Sequence, residues 1–141
     1  MSLQDIPVSV VPAEPAPVPD GPTGMADAVM REIESHLEQL VESGTANAVD
    51  LKSLPLTAAD LDILRDKLGQ GEVNARVDAA GLTEIRETAY PGVWWLTYYE
   101  MDGEAILDVI EVTRCPEMLQ THPEDIRTAL RRFKQADPGS S

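Results

Sequence analysis

With 141 residues, 11 Lys plus Arg and 25 Asp plus Glu, the chain has room for one domain and carries a net charge of −14. That acid surplus opposes phosphate backbones and anionic lipid, so nucleic acid and membrane are excluded as expected partners and a basic or neutral protein is favoured. The lone cysteine, Cys115, excludes an internal disulfide and a thiolate metal cage.

The first five residues lack the basic start and apolar run of a secretory signal, and no stretch approaches the roughly 18 apolar residues of a membrane span. The expectation is a soluble, unprocessed, cytoplasmic protein. Six prolines fall at positions 7, 12, 15, 17, 19 and 22. Proline removes backbone donors and fixes φ, so residues 1–24 are expected to form a disordered tail. Pro12 with Pro15, and Pro19 with Pro22, match a PxxP docking pattern, against which a solvated tail is the stronger reading.

From Met25 to Ser43 the apolar residues Met25, Val29, Ile33, Leu37, Leu40 and Val41 recur at three and four positions, which draws one stripe on a helix ended by Gly44. A short extended piece over 48–51 follows, and Pro55 keeps Leu54 out of helix. Thr57 and Asp60 have capping-box spacing, Leu61, Leu64 and Leu68 form a second stripe, and Gly69 supplies the stop.

Beyond Gly71 the periodicity changes to two, with Val73, Ala75 and Val77 alternating with polar residues. A turn over 78–81 leads to a more polar strand over 82–88, and Tyr90-Pro91-Gly92 reverses the chain into the aromatic strand 93–99. Asp102-Gly103 is the strongest hairpin signal and joins that strand to 105–113. The expected architecture is α+β: a four-stranded antiparallel meander with two N-terminal helices and one C-terminal helix packed on it, spanning 25–134.

The last two strands read as apolar on both faces. Val93 and Trp95 oppose Trp94, Leu96 and Tyr98, and Ile106, Ile110 and Val112 oppose Leu107 and Val109. Strands of this kind need cover on both sides. The helices can supply one side; a further helix, a second copy or a partner must supply the other. After Cys115-Pro116, Thr121 and Glu124 again have capping-box spacing, and Ile126, Ala129, Leu130 and Phe133 form the expected buried face of the last helix. Residues 135–141 are expected to be a flexible tail.

Cys115 and His122 are seven residues apart and would need to meet within hydrogen-bond reach to act as nucleophile and base. No orienting residue or oxyanion motif accompanies them, so structural roles outweigh a cysteine-dependent enzyme. One cysteine and the distant His36 and His122 make no metal site, and the acids follow no calcium-loop spacing. Gly69 and Gly71 precede a strand without the Gly-Lys-Ser/Thr of a phosphate loop. No catalytic, metal or cofactor residue is assigned. Between residues 72 and 111, nine acids face only Arg76 and Arg86, which makes the sheet region negative. Asp108, between Ile106 and Ile110, is the odd one, expected to pair with Arg76 or Arg86 or to mark where the face meets water.

Several blocks together carry a resemblance: residues 53–57, Ala59-Asp60-Leu61, 68–73, 85–88, Pro91-Gly92-Val93-Trp94-Trp95, and 110–113 followed by 116–119. Over about 25–134 the chain resembles the conserved C-terminal region of the hydrogenase expression/formation protein family HupH, also called HyaF. The resemblance implies a chaperone-like accessory protein for maturing uptake [NiFe]-hydrogenase, not an enzyme. The implied partner is the iron–sulfur small-subunit precursor, or another hydrogenase accessory protein, with no cofactor of its own. The residues expected at such a contact are Trp94, Trp95, Tyr98, Glu84, Glu87 and Asp108. A self-associating module, closing the second sheet face as a homodimer, is the alternative.

Overall fold

A computed structural model describes residues 21–136. The proline-rich segment up to residue 20 and the last five residues lie outside the described residues, and with them most of the expected tails. The chain runs α1 (Met25–Ser43), β1 (Asn47–Asp50), a 3-10 turn (Leu51–Ser53), α2 (Ala58–Leu68), β2 (Asn74–Asp78), β3 (Leu82–Glu87), β4 (Val93–Tyr99), β5 (Ala105–Val112), a second 3-10 turn (Glu117–Leu119) and α3 (Pro123–Ala136). The class is α+β, as expected. Among the described residues the sheet has five strands rather than four, ordered β1-β5-β4-β3-β2 and antiparallel throughout.

The additional strand is β1, which continues the meander at its far edge by pairing Val49 with Ile110 and Asn47 with Val112. At four residues it is too short to announce itself by periodicity. It forms because β5 has a free edge and Val49 can be buried beside Ile110. α1 and α2 cover one face of the sheet. There Val29, Ile33, Leu64 and Leu68 meet Val49, Val93, Trp95, Ile110 and Val112 in one cluster. Val41, expected in the α1 stripe, points to solvent, and Ala26 is buried instead.

The turns carry out what their residues dictate. Val93 N donates to Tyr90 O at 3.0 Å across Pro91-Gly92, and Gly92 has φ 93°, the left-handed value a type II turn requires at its third residue. In the β4–β5 hairpin, Gly103 N donates to Glu100 O and Glu100 N to Glu104 O, closing a three-residue loop. The register then shifts, with Tyr98 opposite Leu107 but Tyr99 opposite Ala105. Ile106 is the extra residue of a bulge, so the strict alternation expected for β5 fails at this end.

The second face holds a smaller cluster of Ile85, Trp94 and Leu96, with Ala75, Val77, Tyr98 and Leu119 packed around it. Among the described residues its cover comes from the second 3-10 turn and not from a helix. α3 forms, with the expected apolar stripe, but it does not pack on the sheet: Ile126 and Leu130 are each 56% exposed and Phe133 is 78% exposed. The expectation of a docked C-terminal helix is corrected on this point. Leu119 already takes the place such a helix would fill, and Gln120 Nε2 bonds Cys115 O at 3.0 Å, which pins the turn from which α3 departs.

Candidate functional site

On the helix-side face the cross-strand row of Glu84, Thr97 and Asp108 is polar; Thr97 and Asp108 are buried and Glu84 is half-buried. Asp108 is buried, and its Oδ1 accepts from Trp95 Nε1 at 3.0 Å and from Thr97 Oγ1 at 2.8 Å. The arginine pairing expected for it does not occur: two neutral donors on the neighbouring strand satisfy this oxygen. Tyr99 donates its hydroxyl to Glu84 Oε1 at 3.0 Å, and burial, then that bond, push the Tyr99 phenol up from its ordinary value.

Beside this row lies a cavity of about 80 Å³ lined by Arg65, Asn74, Arg86, Glu87, Thr88 and Trp95, among others. The Arg65 guanidinium sits 5.0 Å from the centre of a Trp95 ring, within cation–π range. Trp95 therefore forms the floor between the helical core and the polar row. Trp95 as a whole is 5% exposed.

Trp94 and Tyr98 lie on the opposite face. Trp94 is 6% exposed and donates from Nε1 to Thr113 O at 3.1 Å, which ties β4 to the segment after β5. Tyr98 is half-buried, and burial, with Glu111 adding to it, raises its phenol. Glu111 is itself raised, by burial first and by Glu117 second. Glu87 closes β3, where its backbone N donates to Val73 O and its carbonyl accepts from Gly71 N. The six residues expected at a contact are thus divided. Trp95, Asp108 and Glu84 share one surface, Trp94 and Tyr98 the other, and Glu87 sits at a strand end.

Past Tyr98, the second face opens into a groove of about 270 Å³ lined by Val77, Leu82, Thr83, Tyr98, Ile106 and Met118, among others. Ile106 and Met118 are 49% and 42% exposed. Sequence reasoning missed this groove because the bulge that turns Ile106 toward it leaves no trace in the alternation. Cys115 is half-buried with its Sγ toward Pro116 O at 3.7 Å, while His122 caps α3 by accepting from Glu124 N at 3.1 Å through Nδ1. Among the described residues no group of three or more His, Cys, Asp or Glu is arranged to hold a metal ion, and no helix is long and apolar enough to cross a membrane.

What the fold and these surfaces define is a small α+β module, two helices on one side of an antiparallel sheet and a free helix beyond it. The chain belongs to the HupH hydrogenase expression protein family: residues 24–137 match its C-terminal conserved region. It is 36% identical over 92 residues to the hydrogenase expression/formation protein HupH of Rhodobacter capsulatus, covering 65% of this chain and 34% of that protein. It is 32% identical over 111 residues to HoxQ of Azotobacter vinelandii, a hydrogenase expression/formation protein, covering 79% of this chain and 37% of that one. The structure is similar to that of the hydrogenase expression protein HupH from Thiobacillus denitrificans, with a TM-score of 0.78 and 38% identity, covering 83% of this chain and 99% of the other. The chain thus spans only about a third of the length of the curated relatives it matches, 34% of the Rhodobacter capsulatus protein and 37% of the Azotobacter vinelandii one.

Proposed function

We propose that this module is a non-catalytic accessory factor in hydrogenase maturation that binds the iron–sulfur small subunit as an unfinished precursor in the cytoplasm. The observation that carries the reading is the family match over residues 24–137, joined to a sheet region in which nine acids face two arginines. Such a surface attracts a basic segment and repels nucleic acid and anionic lipid. A precursor destined for export by the twin-arginine route carries consecutive arginines, and the acidic sheet would screen them by charge complementarity.

In this proposal the half-buried Glu84 and Glu87 touch the client directly, while Tyr98, on the opposite face from Glu84, lies outside that contact. Trp94, Trp95 and Asp108 act from beneath by holding β4 and β5 in register. The test is affinity capture of the small-subunit precursor with and without its signal peptide. Capture of the full precursor only, lost on Glu84→Lys with Glu87→Lys, is the expected result. Equal capture of both forms would remove the signal-screening role, and capture of neither would remove the client.

A further inference from the structure

α3 is an amphipathic helix, and among the described residues nothing packs on its apolar stripe. Ile126, Leu130 and Phe133 recur at four and three residues and so lie along one side, and all three face solvent. The helix also reverses the charge of the molecule. Residues 21–122 hold 19 acidic and 7 basic side chains, whereas α3 holds Glu124 and Asp125 against Arg127, Arg131, Arg132 and Lys134. Its acids sit in the first turn and, apart from Arg127, its bases follow Leu130, so the positive charge is gathered beside Leu130 and Phe133.

The groove on the second face has the complementary character. Val77, Leu82, Tyr98, Ile106 and Met118 make an apolar floor. The adjoining depression, which shares Leu82 and Tyr99 with it, is lined by Asp78 and Glu100, and Asp102 and Glu104 are exposed at the hairpin tip between them. None of the residues lining either hollow is basic. A 14-residue helix is about 21 Å long and five strands span about 19 Å between the outer axes, so one α3 can cross the whole sheet.

We propose that α3 of one copy of this chain docks in the second-face groove of another copy, and that the exchange is mutual. Its apolar stripe covers Tyr98, Ile106 and Met118, and Arg131, Arg132 and Lys134 reach the acidic rim. The chain's own groove is the poorer fit for its own helix. Leu119 is packed on the sheet, Gln120 is bonded to Cys115 O, and His122 caps the helix with both its carbonyl and its ring, leaving Thr121 alone between the two anchors. A short connection ending in a proline, at Pro123, holds the residue before it extended and sends the helix outward. Reciprocal exchange of an identical element closes a two-fold dimer and uses each contact twice. An anionic bilayer, the other surface that suits a basic amphipathic helix, is opposed by the acid surplus of the body.

Sedimentation of the full chain over a range of concentrations, at low and high salt, reads the association directly. A dimer is expected that loosens as salt rises, and Leu130→Glu with Phe133→Glu should weaken it by about a hundredfold while leaving the circular dichroism of the monomer intact, because these residues are exposed there. To place the helix, Phe133→Cys in one tagged copy and Met118→Cys in a second, both with Cys115→Ser, should give a disulfide-linked heterodimer. A concentration-independent monomer overturns the proposal, as does a dimer indifferent to the α3 substitutions. A monomer that binds vesicles of anionic phospholipid through α3 also overturns it, in favour of the membrane.

Discussion

Asp108 is a carboxylate inside a sheet of apolar strands, and its neighbours explain why it is tolerated. Trp95 Nε1 and Thr97 Oγ1 both end on its Oδ1, so two buried donors depend on one acceptor. Removing that acceptor leaves both unpaired, and Asp108→Ala is expected to cost about 1–3 kcal/mol in urea unfolding, with Asp108→Asn costing less because it keeps an oxygen. An Ala variant as stable as the parent would show that water replaces the carboxylate. Asp60 is a second buried acid with a different task. It accepts from Thr23 N at 2.8 Å, Thr23 Oγ1 at 2.6 Å and Thr57 N at 3.0 Å, and thereby fastens the segment ahead of α1 to the start of α2. The Thr23 hydroxyl, followed by the backbone bonds from Thr57 and Thr23, lowers its pKa from 3.8 to about 2. A lowered folded value means that the stabilisation is complete above the unfolded value of 3.8 and is lost as pH falls through about 2. The gap in unfolding midpoint between the parent and Asp60→Ala should therefore be full at neutral pH and close between about pH 4 and 2; a gap constant over that window would contradict the network's role.

At the scale of elements, local chemistry settles beginnings and ends. The α2 capping box forms as spaced, with Asp60 N donating to Thr57 Oγ1 at 3.1 Å and Thr57 N to Asp60 Oδ2. Gly44 stops α1 with φ 74° and its N–H on Leu40 O. Between α2 and β2 the chain passes so close to β3 that Gly71 N reaches Glu87 O at 2.8 Å, and a Cβ there would run into the carbonyl oxygen of Thr88. Backbone cannot yield as a side-chain tip can, so Gly71→Ala is expected to lower stability by about 1–3 kcal/mol, read from the thermal or urea midpoint. A midpoint unchanged by the substitution would mean that the crossing has slack. α3 forms with its apolar stripe at helical spacing, but its cap is His122 and not the expected Thr121, because the helix begins at Pro123 and Glu124 N bonds the His122 ring; among the described residues it has no place in the core. A stripe states that a helix needs a partner and does not state which one.

Over the whole molecule the decisive property is the separation of charge: an acidic body and one basic, apolar-striped helix. Both proposed contacts draw on it. Capture of a basic client by the sheet should weaken as salt rises across the physiological range, where the screening length is about 8–10 Å, and capture indifferent to salt would point to an apolar contact instead. The sequence by itself determined the helices, four of the five strands, the turns, the burial of Val93 and Trp95, and the family, because each rests on periodicity, capping or turn residues within a short stretch. Tertiary structure alone decided the remaining features: β1 as a fifth strand, Asp108 paired with Trp95 instead of an arginine, the bulge at Ile106, and a 3-10 turn in place of α3 over the second face. Each of these depends on which distant groups compete for one edge or one patch of sheet, and that competition is settled only when the strands are side by side.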